Sequence, residues 1–216
     1  NHYDKKPALG LFIQNEVLYF PRKSTINSLS FSPVNHDEFV SGSSSNKLRI
    51  WNIKKYKSSF ITEKGMLFEG HALSITSVSY SRDGQYIVSG SDDRTAKVWR
   101  VNTGVCIFDI QHHSTVTCVS FSTDGDYIVS GSDNYINVWD ANTHQHVKSY
   151  PDGVTSLSFS PDDNTFVYSS IDDKLNMWDV DTLPSETTPQ TKGPAPWNEV
   201  PYTWCDKHLK KQICEL

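Results

Sequence analysis

One segment of the chain contains the three residue types of a nucleophilic hydrolase. His71, Ser89 and Asp93 occur in it in that order. In a catalytic triad, an acid orients a histidine, and the histidine takes the proton of the serine hydroxyl that attacks the substrate. This chemistry requires that substrate can reach the hydroxyl. The elements that carry the three residues therefore decide whether they could act together.

Histidine pairs give the strongest suggestion of a metal site. On an outermost strand His144 and His146 would point to the same side, and His112 is followed directly by His113. Two imidazoles without a third ligand bind a metal weakly, and an exposed polar edge strand accounts for them better.

The four cysteines lack metal-ligand spacing, and we expect reduced thiols at Cys106, Cys118, Cys205 and Cys214. With phosphate-loop and hydrolase motifs also missing, we expect no catalytic residues, no metal and no cofactor.

The composition predicts a globular protein that binds neither nucleic acid nor membrane. Hydrophobic residues make up 37% of the 216, and 25 acidic and 20 basic residues give a net charge of −5. The basic residues form no stripe that would neutralise a phosphate backbone. No apolar run approaches the roughly 20 residues that cross a bilayer. We expect a cytoplasmic protein, with the nucleus as the alternative compartment.

A single phrase occurs four times along the chain. Its copies are INSLSFSP, ITSVSYSR, VTCVSFST and VTSLSFSP, which begin at Ile26, Ile75, Val116 and Val154. Apolar residues alternate with small ones, mostly serine, so each segment has one apolar side and one small side. This pattern predicts a strand that is buried on both faces and closely packed on one.

Further strands follow each copy. A turn, clearest at Asp83-Gly84, supplies the positive φ of a tight hairpin and leads to a second strand. The third strand ends in tryptophan in every copy, at Trp51, Trp99, Trp139 and Trp178. Four short strands in each period of about 40 residues are typical of a β-propeller. We predict an all-β fold of radially arranged antiparallel sheets.

These repeats resemble the WD40 family over roughly residues 18 to 182. Gly70-His71 opens the second copy, and the third and fourth copies end in Trp139-Asp140 and Trp178-Asp179. The resemblance implies a WD40-type β-propeller with four recognisable four-stranded blades and a partial N-terminal blade. It also implies a structural hydrogen-bond network within one blade, formed by His71, Ser89, Asp93 and Trp99. Substrate cannot reach a hydroxyl inside a blade, so we predict this network rather than a catalytic triad.

The other copies match this network only in part. In the third copy the expected members are Ser130, Asp133 and Trp139, with His112 or His113 in place of His71. In the fourth copy they are Ser169, Asp172 and Trp178, with Asp152 near the place of the histidine. The first copy has Ser41 and Trp51 but Ser45 in place of the aspartate, and no histidine. We therefore expect apolar packing to hold the outer blades, which are the less rigid ones.

The pattern divides the chain into blades, a linker and a tail. Residues 1–20 are expected to supply the outer hairpin of a preceding partial blade, and residues 21–181 the propeller blades, at about 21–69, 70–110, 111–150 and 151–181. Residues 54–63 extend an edge loop. Five prolines predict a linker over residues 182–201, and apolar residues at helical spacing predict an amphipathic helix or tail over residues 202–216.

The predicted function is a non-catalytic scaffold that binds other proteins. In a propeller of this kind, turns on one rim hold side chains that are free to contact a partner. The expected partner-binding rim comprises Lys47, Ser74, Arg94, His113, Asn134, Tyr135 and Lys174. Arg94 and Tyr135 are the expected anchors, because arginine and aromatic side chains contribute the most binding energy per residue.

The sequence leaves two points open. The propeller could instead be the sensor or regulatory part of a larger enzyme, such as a nucleotide-binding switch protein, because DGQYIVSGSD and DGDYIVSGSD resemble recently duplicated arrays. WD40 propellers usually have seven blades, so we expect these residues not to close the ring alone. Residue 1 is Asn, which permits further blades of the same protein; a second chain, or a small ring of four or five blades, are the other possibilities.

Overall fold

The computed structural model describes residues 13–14, 17–18, 24–53, 66–161 and 165–179. All of them belong to the first of the two units into which the chain divides, Asn1–Leu183. The predicted linker and C-terminal helix, and the loop extension at residues 54–63, lie outside the described residues. Within the described part of the chain, no helix has the length and hydropathy needed to span a bilayer.

Regular structure in the described residues consists of β-strands. Two short strands pair near the N-terminus, β1 (Ile13–Gln14) and β2 (Val17–Leu18). Four groups follow. The first is β3 (Ile26–Phe31), β4 (Glu38–Ser43), β5 (Leu48–Asn52) and β6 (Leu67–Phe68). The second is β7 (Ile75–Tyr80), β8 (Tyr86–Ser91), β9 (Thr95–Arg100) and β10 (Cys106–Gln111). The third is β11 (Val116–Phe121), β12 (Tyr127–Ser132), β13 (Ile136–Asp140) and β14 (His146–Tyr150), and the fourth is β15 (Val154–Phe159), β16 (Thr165–Ser170) and β17 (Leu175–Asp179).

Each group forms one antiparallel sheet with its strands in sequence order. We call these sheets blade 1 (β3–β6), blade 2 (β7–β10), blade 3 (β11–β14) and blade 4, which has the three strands β15–β17 among the described residues. The first strands of successive blades pack against one another, β3 on β7, β7 on β11 and β11 on β15. The predicted all-β fold of propeller blades is confirmed.

The second strand of each of the first three blades carries a glycine where the next blade approaches closest. A Cβ atom built on Gly42 would lie 2.5 Å from Cγ2 of Ile75, and one on Gly90 would lie 2.6 Å from Cγ1 of Val116. Gly131 faces Val154 in the same way. Side chains at these positions would overlap the next blade, so glycine sets the spacing between blades.

Polar side chains on the first strands tie neighbouring blades together. Asn27 donates to the Ile75 carbonyl at 2.8 Å, and the hydroxyls of Thr76 and Thr117 donate to the carbonyls of Val116 and Val154. Other side chains on these strands accept instead of donating. The hydroxyls of Ser28, Ser30 and Ser77 accept from backbone N–H groups of the next blade, at Val78, Tyr80 and Val119. The first strand is a sheet edge, and these bonds satisfy backbone groups that the sheet leaves unpaired. The small residues in the repeated phrase are explained by this contact.

An aromatic residue on the outer strand of each of the first three blades packs on the tryptophan of the next. Ring centroids are 5.9 Å apart for Phe68 and Trp99, and 6.1 Å apart for Phe108 and Trp139. Tyr150 and Trp178 form the third pair. Such pairs stabilise by about 0.5–1.5 kcal/mol beyond the area that they bury. The repeated tryptophan therefore belongs to the contact between blades as well as to its own sheet.

The substitution Gly90→Ala tests the spacing between blades. The added methyl group would overlap Val116, and we expect the free energy of unfolding to fall by about 2 kcal/mol, as for other overpacked cores. The matched control is Ser169→Ala, because Ser169 holds the same register position in blade 4. Urea denaturation of both variants measures the effect, and equal losses would contradict the account.

Candidate functional site

Blade 2 contains a continuous hydrogen-bond chain. Trp99 Nε1 donates to Ser89 Oγ at 2.8 Å, and Ser89 Oγ lies 2.7 Å from His71 Nε2. His71 Nδ1 lies 2.8 Å from Asp93 Oδ2. Because the Asp93 carboxylate can only accept, the imidazole donates to it through Nδ1, and Nε2 of the neutral ring accepts from the serine hydroxyl. The residues that the sequence singled out in this copy are thus brought together by β8, β9 and the connection before β7.

The aspartate of this chain accepts further bonds that the sequence did not predict. Thr95 Oγ1 donates to Asp93 Oδ1 at 2.7 Å, and the N–H of Ala72 donates to Oδ2 at 2.8 Å. Burial opposes ionisation, but the bonds from Thr95, Ala72 and His71 prevail and lower the pKa of Asp93 to about 2. Burial lowers the pKa of His71, against the effect of Asp93. The contact is therefore a bond from a neutral imidazole to a carboxylate.

The Ser89 hydroxyl is not placed for catalysis. Its residue is fully buried, and His71 and Trp99 are buried beside it. Substrate cannot approach a serine enclosed by its own sheet. Among the described residues, no group of three or more histidine, cysteine, aspartate or glutamate side chains is arranged to hold a metal ion. The expectation that His144 and His146 share one side of an outer strand is wrong, because His144 lies before β14 in a turn at φ 62° and stacks on Phe108.

Blade 3 retains only the first bond of this chain. Trp139 Nε1 donates to Ser130 Oγ at 3.0 Å. The predicted acceptor Asp133 is exposed in the turn after β12, and no hydrogen bond joins it to His112 within the described part of the chain. The prediction of Asp133 as the acceptor is therefore wrong. The turn here is shorter by one residue than in blade 2, which carries the aspartate away from the histidine.

His112 instead belongs to a second polar cluster. Asn137 Nδ2 lies 3.4 Å from His112 Nδ1, and Asn137 Oδ1 accepts from Ser149, which is also bonded to His146. His112 Nε2 is buried without a hydrogen-bond partner among the described residues. Burial, reinforced by the neighbouring His113 and His146, lowers the pKa of His112 to about 4. A neutral ring with an unsatisfied nitrogen makes this cluster weaker than the chain in blade 2.

Blade 4 replaces the serine of the chain with a tyrosine. Trp178 Nε1 donates to the Tyr168 hydroxyl at 3.3 Å, and that hydroxyl donates to Asp152 at 2.8 Å. The predicted member Asp172 lies in the exposed turn after β16 and is bonded to Ser170 and Lys174 instead. The prediction for this blade is therefore wrong at Asp172 and at Ser169, whose hydroxyl lies 2.7 Å from that of Thr155. The sequence spacing could have identified Tyr168 as the partner of the indole, because Tyr168 precedes Trp178 by the same interval as Ser89 precedes Trp99.

Blade 1 keeps the indole bond, from Trp51 Nε1 to Ser41 Oγ at 2.8 Å. Ser45, which stands in place of the aspartate, lies 2.8 Å from the hydroxyl of Ser43 in the following turn. The tryptophan of each of the four described blades thus has a hydroxyl partner, while the rest of the hydrogen-bond chain differs from blade to blade.

The second feature of the site is the rim formed at one end of the blades. It consists of the turns between the second and third strands and the connections that lead to the next blade. Backbone bonds join the two kinds of segment, from Asp92 to Ser74, from His112 to Arg94 and from Ile171 to Gly153. All seven residues predicted for the rim lie in these turns and connections.

Two of the predicted rim residues present unengaged side chains. Arg94 and Asn134 are exposed, and neither has a side-chain hydrogen bond or ion pair within the described part of the chain. Arg94 projects from a turn in which it holds φ 66°. Tyr135 is half-buried beside Asn134, and His113 is exposed. These four side chains lie on blades 2 and 3.

Other predicted rim residues are occupied by contacts within the chain. Ser74 accepts a bond from Asn27 at 2.9 Å, so its hydroxyl serves the junction between blades 1 and 2. Lys47 pairs with Glu69 at 2.6 Å, and Lys174 pairs with Asp172. Both ion pairs are exposed and contribute little stability. The expectation that the Ser74 side chain is unengaged is wrong, whereas each lysine ammonium, with three donors, keeps donors for a partner.

Sequence patterns gave no indication of two apolar residues on the rim. Leu73 precedes Ser74, Ile171 lies in the same turn as Lys174, and both apolar side chains are exposed. Exposure of an apolar residue in a turn depends on the neighbouring blade, so no local pattern could have shown it.

Comparison with known proteins agrees with this architecture. The family described as WD domain, G-beta repeat matches residues 15–52, 62–100, 104–140 and 143–179, more than half of the chain. The chain belongs to the WD40-repeat family. The resemblance predicted from the sequence is thereby confirmed, and the blades are WD40 repeats.

Similar proteins carry the name "Ribosome biogenesis protein BOP1 homolog". Those of Drosophila erecta and Drosophila melanogaster are 46% identical over 52 residues, which is 24% of this chain and 7% of each relative. That of Drosophila persimilis is 44% identical over the same length. The matched part thus spans a small fraction of these relatives.

The contrast between two histidines tests the hydrogen-bond chain. Replacing His71 with Ala leaves buried Ser89 and Asp93 without their partner, and we expect a loss of roughly 3 kcal/mol in the free energy of unfolding. His112→Ala is the matched control, with an expected loss of about 1 kcal/mol, because its Nε2 is already unsatisfied. Urea denaturation at neutral pH gives both values, and a larger loss at position 112 would refute the ranking.

The depressed pKa of His112 also predicts a dependence of stability on pH. The unfolded chain takes up a proton near the ordinary pKa of 6.5, whereas the folded protein does so only near a pKa of about 4. The unfolded state therefore holds more protons in this range, and the free energy of unfolding falls as the pH drops from 6.5 towards 4. Burial lowers the pKa of His71 and His146 as well, so they add to the decline.

Urea denaturation at a series of pH values checks this prediction. We expect a shallower decline for His112→Asn than for the unaltered chain. Identical slopes for the two proteins would show that His112 is not the titrating group.

Proposed function

We propose that the chain is a non-catalytic scaffold and that the rim of blades 2 and 3 binds another protein. The observation that carries the proposal is an unengaged, exposed Arg94 in the turn between β8 and β9, with the half-buried Tyr135 in the corresponding turn of the next blade. Arginine and tyrosine are enriched among residues that dominate protein interfaces. WD40 repeats in general serve protein binding, which supports this assignment.

The chemistry of the rim indicates what a partner must offer. Arg94 favours a carboxylate, with which it can form two parallel hydrogen bonds. Leu73, in the connection that leads into blade 2, adds an exposed apolar contact, and Asn134 and His113 add polar groups. A partner surface with an acidic residue near an apolar one fits this arrangement.

The named relatives supply one candidate setting. Because those proteins are called ribosome biogenesis proteins, assembly of a ribosome-biogenesis complex is a second, more specific proposal for this chain. It rests on the 52-residue match alone. Co-sedimentation of the chain with precursor ribosomal particles from cells that express it tests this setting. The cytoplasm stays our proposed compartment, with the nucleus as the alternative that this setting favours.

The double substitution Arg94→Ala/Tyr135→Ala tests the choice of rim. We expect captured partners to be lost by at least about tenfold in affinity, since each anchor contributes about 1–2 kcal/mol. The strain at φ 66° is unchanged, because arginine and alanine both carry a Cβ atom. Quantitative pull-down, followed by binding measurement with each captured protein, gives the result.

The control for this experiment is Arg82→Ala. Arg82 is an exposed arginine in the turn between β7 and β8, at the opposite end of blade 2 from Arg94. It should leave partner binding unchanged. Loss of partners with Arg82→Ala but not with the double variant would place the binding surface at the other end.

Capture of an enzyme domain from the same organism through Arg94 and Tyr135 would favour the regulatory-propeller alternative.

A further inference from the structure

The polar cluster between blades 2 and 3 is a continuous hydrogen-bond chain that begins and ends in a histidine. We call it the His112–His146 chain, and its members in order are His112, Asn137, Ser149 and His146. His112 lies in the connection from β10 to β11, and the other members lie on β13 and β14. The N–H of His112 donates to the Arg94 carbonyl at 2.8 Å. The chain therefore links the rim to the outer strand of blade 3.

Each bond of the His112–His146 chain has a fixed direction. The Asn137 side chain donates through Nδ2 to His112 Nδ1 and accepts at Oδ1 from the Ser149 hydroxyl. A hydroxyl has one proton, so Ser149 accepts from His146 Nε2, which lies 2.8 Å away. His112 therefore carries its own proton on Nε2, the buried atom that has no partner among the described residues.

An added proton has opposite effects at the two ends of the chain. On Nδ1 of His146 it leaves the chain intact, because Nε2 still donates to Ser149. On Nδ1 of His112 it sets an N–H against the Asn137 amide N–H, and two donors cannot bond. If the amide turns over to accept this proton, the Ser149 hydroxyl must donate to His146 Nε2, which must then be unprotonated. The intact chain thus holds an added proton at one end or the other, and not at both.

The surroundings of His112 provide no counter-charge for a second proton. Burial lowers the pKa of His112, and His113 in the same connection and His146 on β14 lower it further. The other charged or titratable residues on the neighbouring segments have no side-chain hydrogen bond to the chain within the described part of the protein. They are Arg94, Asp109, Asp133, Asp140, His144 and Lys148.

We propose that the His112–His146 chain is a pH-sensitive switch that holds one added proton, and that a second proton opens the contact of residues 112–115 with blade 3. The first proton enters from solvent at His146, which is exposed on β14, and it fixes the direction of the chain. The second enters at His112 and leaves two N–H groups facing each other. Opening releases the Arg94 carbonyl and moves His113, so this part of the rim is assembled near neutral pH and opens in acid. The switch acts on the rim itself, whatever the rim binds.

Hydrogen exchange of the full chain, followed by NMR between pH 7 and pH 4, measures this opening. The open form binds a proton on His112 near the ordinary pKa of 6.5, and the closed form only near a pKa of about 4. Opening should therefore increase roughly tenfold for each unit by which the pH falls below 6.5. After correction for the intrinsic exchange rate, the N–H of His112 should lose protection by this factor.

Low concentrations of urea separate local opening from global unfolding. Opening of residues 112–115 exposes little surface, so urea should leave exchange of the His112 N–H unchanged while it accelerates exchange of β8. If urea accelerates both equally, the N–H exchanges through global unfolding and the proposed opening is wrong.

The substitution Asn137→Asp should abolish the switch. Its carboxylate accepts from a protonated His112 and from Ser149 together, so protection of the His112 N–H should become nearly independent of pH between 6.5 and 4. The matched control is Asn134→Asp, which adds the same charge at an exposed position outside the chain and should keep the pH dependence. His112→Asn lacks the titrating ring and should also show no pH dependence at position 112, so it replaces Asn137→Asp if that variant does not fold.

NMR titration of the histidine rings tests whether the two ends share one proton. In His146→Gln the outer end cannot be charged and its amide can donate or accept, so the pKa of His112 should rise by about 1 pH unit. An unchanged pKa would show that the ends are independent. Protection of the His112 N–H that stays constant from pH 6.5 to 4, or that falls equally in Asn137→Asp, would overturn the switch.

Discussion

Close packing of one blade's first strand on the glycine of the preceding blade is the contact on which this structure depends. Gly42, Gly90 and Gly131 have no side chain where Ile75, Val116 and Val154 approach, and each of those branched residues is fully buried. The short spacing brings threonine and serine hydroxyls within reach of the neighbouring backbone. It also brings an aromatic residue of one outer strand onto the tryptophan of the next. A blade therefore buries its apolar side chains and satisfies its edge strand through its neighbours as well as through its own sheet.

The hydrogen-bond chain within a blade is less constant than the packing between blades. Only blade 2, among the described blades, links tryptophan, serine, histidine and aspartate without a break. In blade 4 the bond chain also ends on a carboxylate, from Tyr168 to Asp152. In blade 3 a nitrogen of His112 has no partner among the described residues. The indole always finds a hydroxyl, because a buried N–H without a partner is costly. Beyond that first bond, the structure tolerates different solutions.

Much of this could be predicted from the sequence, because the repeated phrase, the turn chemistry and the tryptophans are local signals. The blades followed from alternation with period two, and the network of blade 2 from the match of His71 and Asp93 to a known pattern. Asp133 was predicted wrongly because its turn is one residue shorter than that of blade 2, and Asp172 because blade 4 has Tyr168 in place of the serine and reaches Asp152 instead. Ser74 was predicted to be free, but Asn27 of the neighbouring blade binds it. Contacts between blades join residues that are about one repeat apart, so no local pattern reveals them.

Native-state hydrogen exchange of individual strands tests most directly whether packing against neighbouring blades determines the local stability of a blade. Blades 2 and 3 are covered on both faces, whereas the end faces carry the exposed Phe31 and Met177. The account predicts that β8 and β12 exchange with similarly high protection, and that β4 and β16 exchange faster. Strong protection of β8 alone, with β12 exchanging as fast as β4 and β16, would contradict it. That result would show that the hydrogen-bond chain of blade 2, rather than packing between blades, sets local stability.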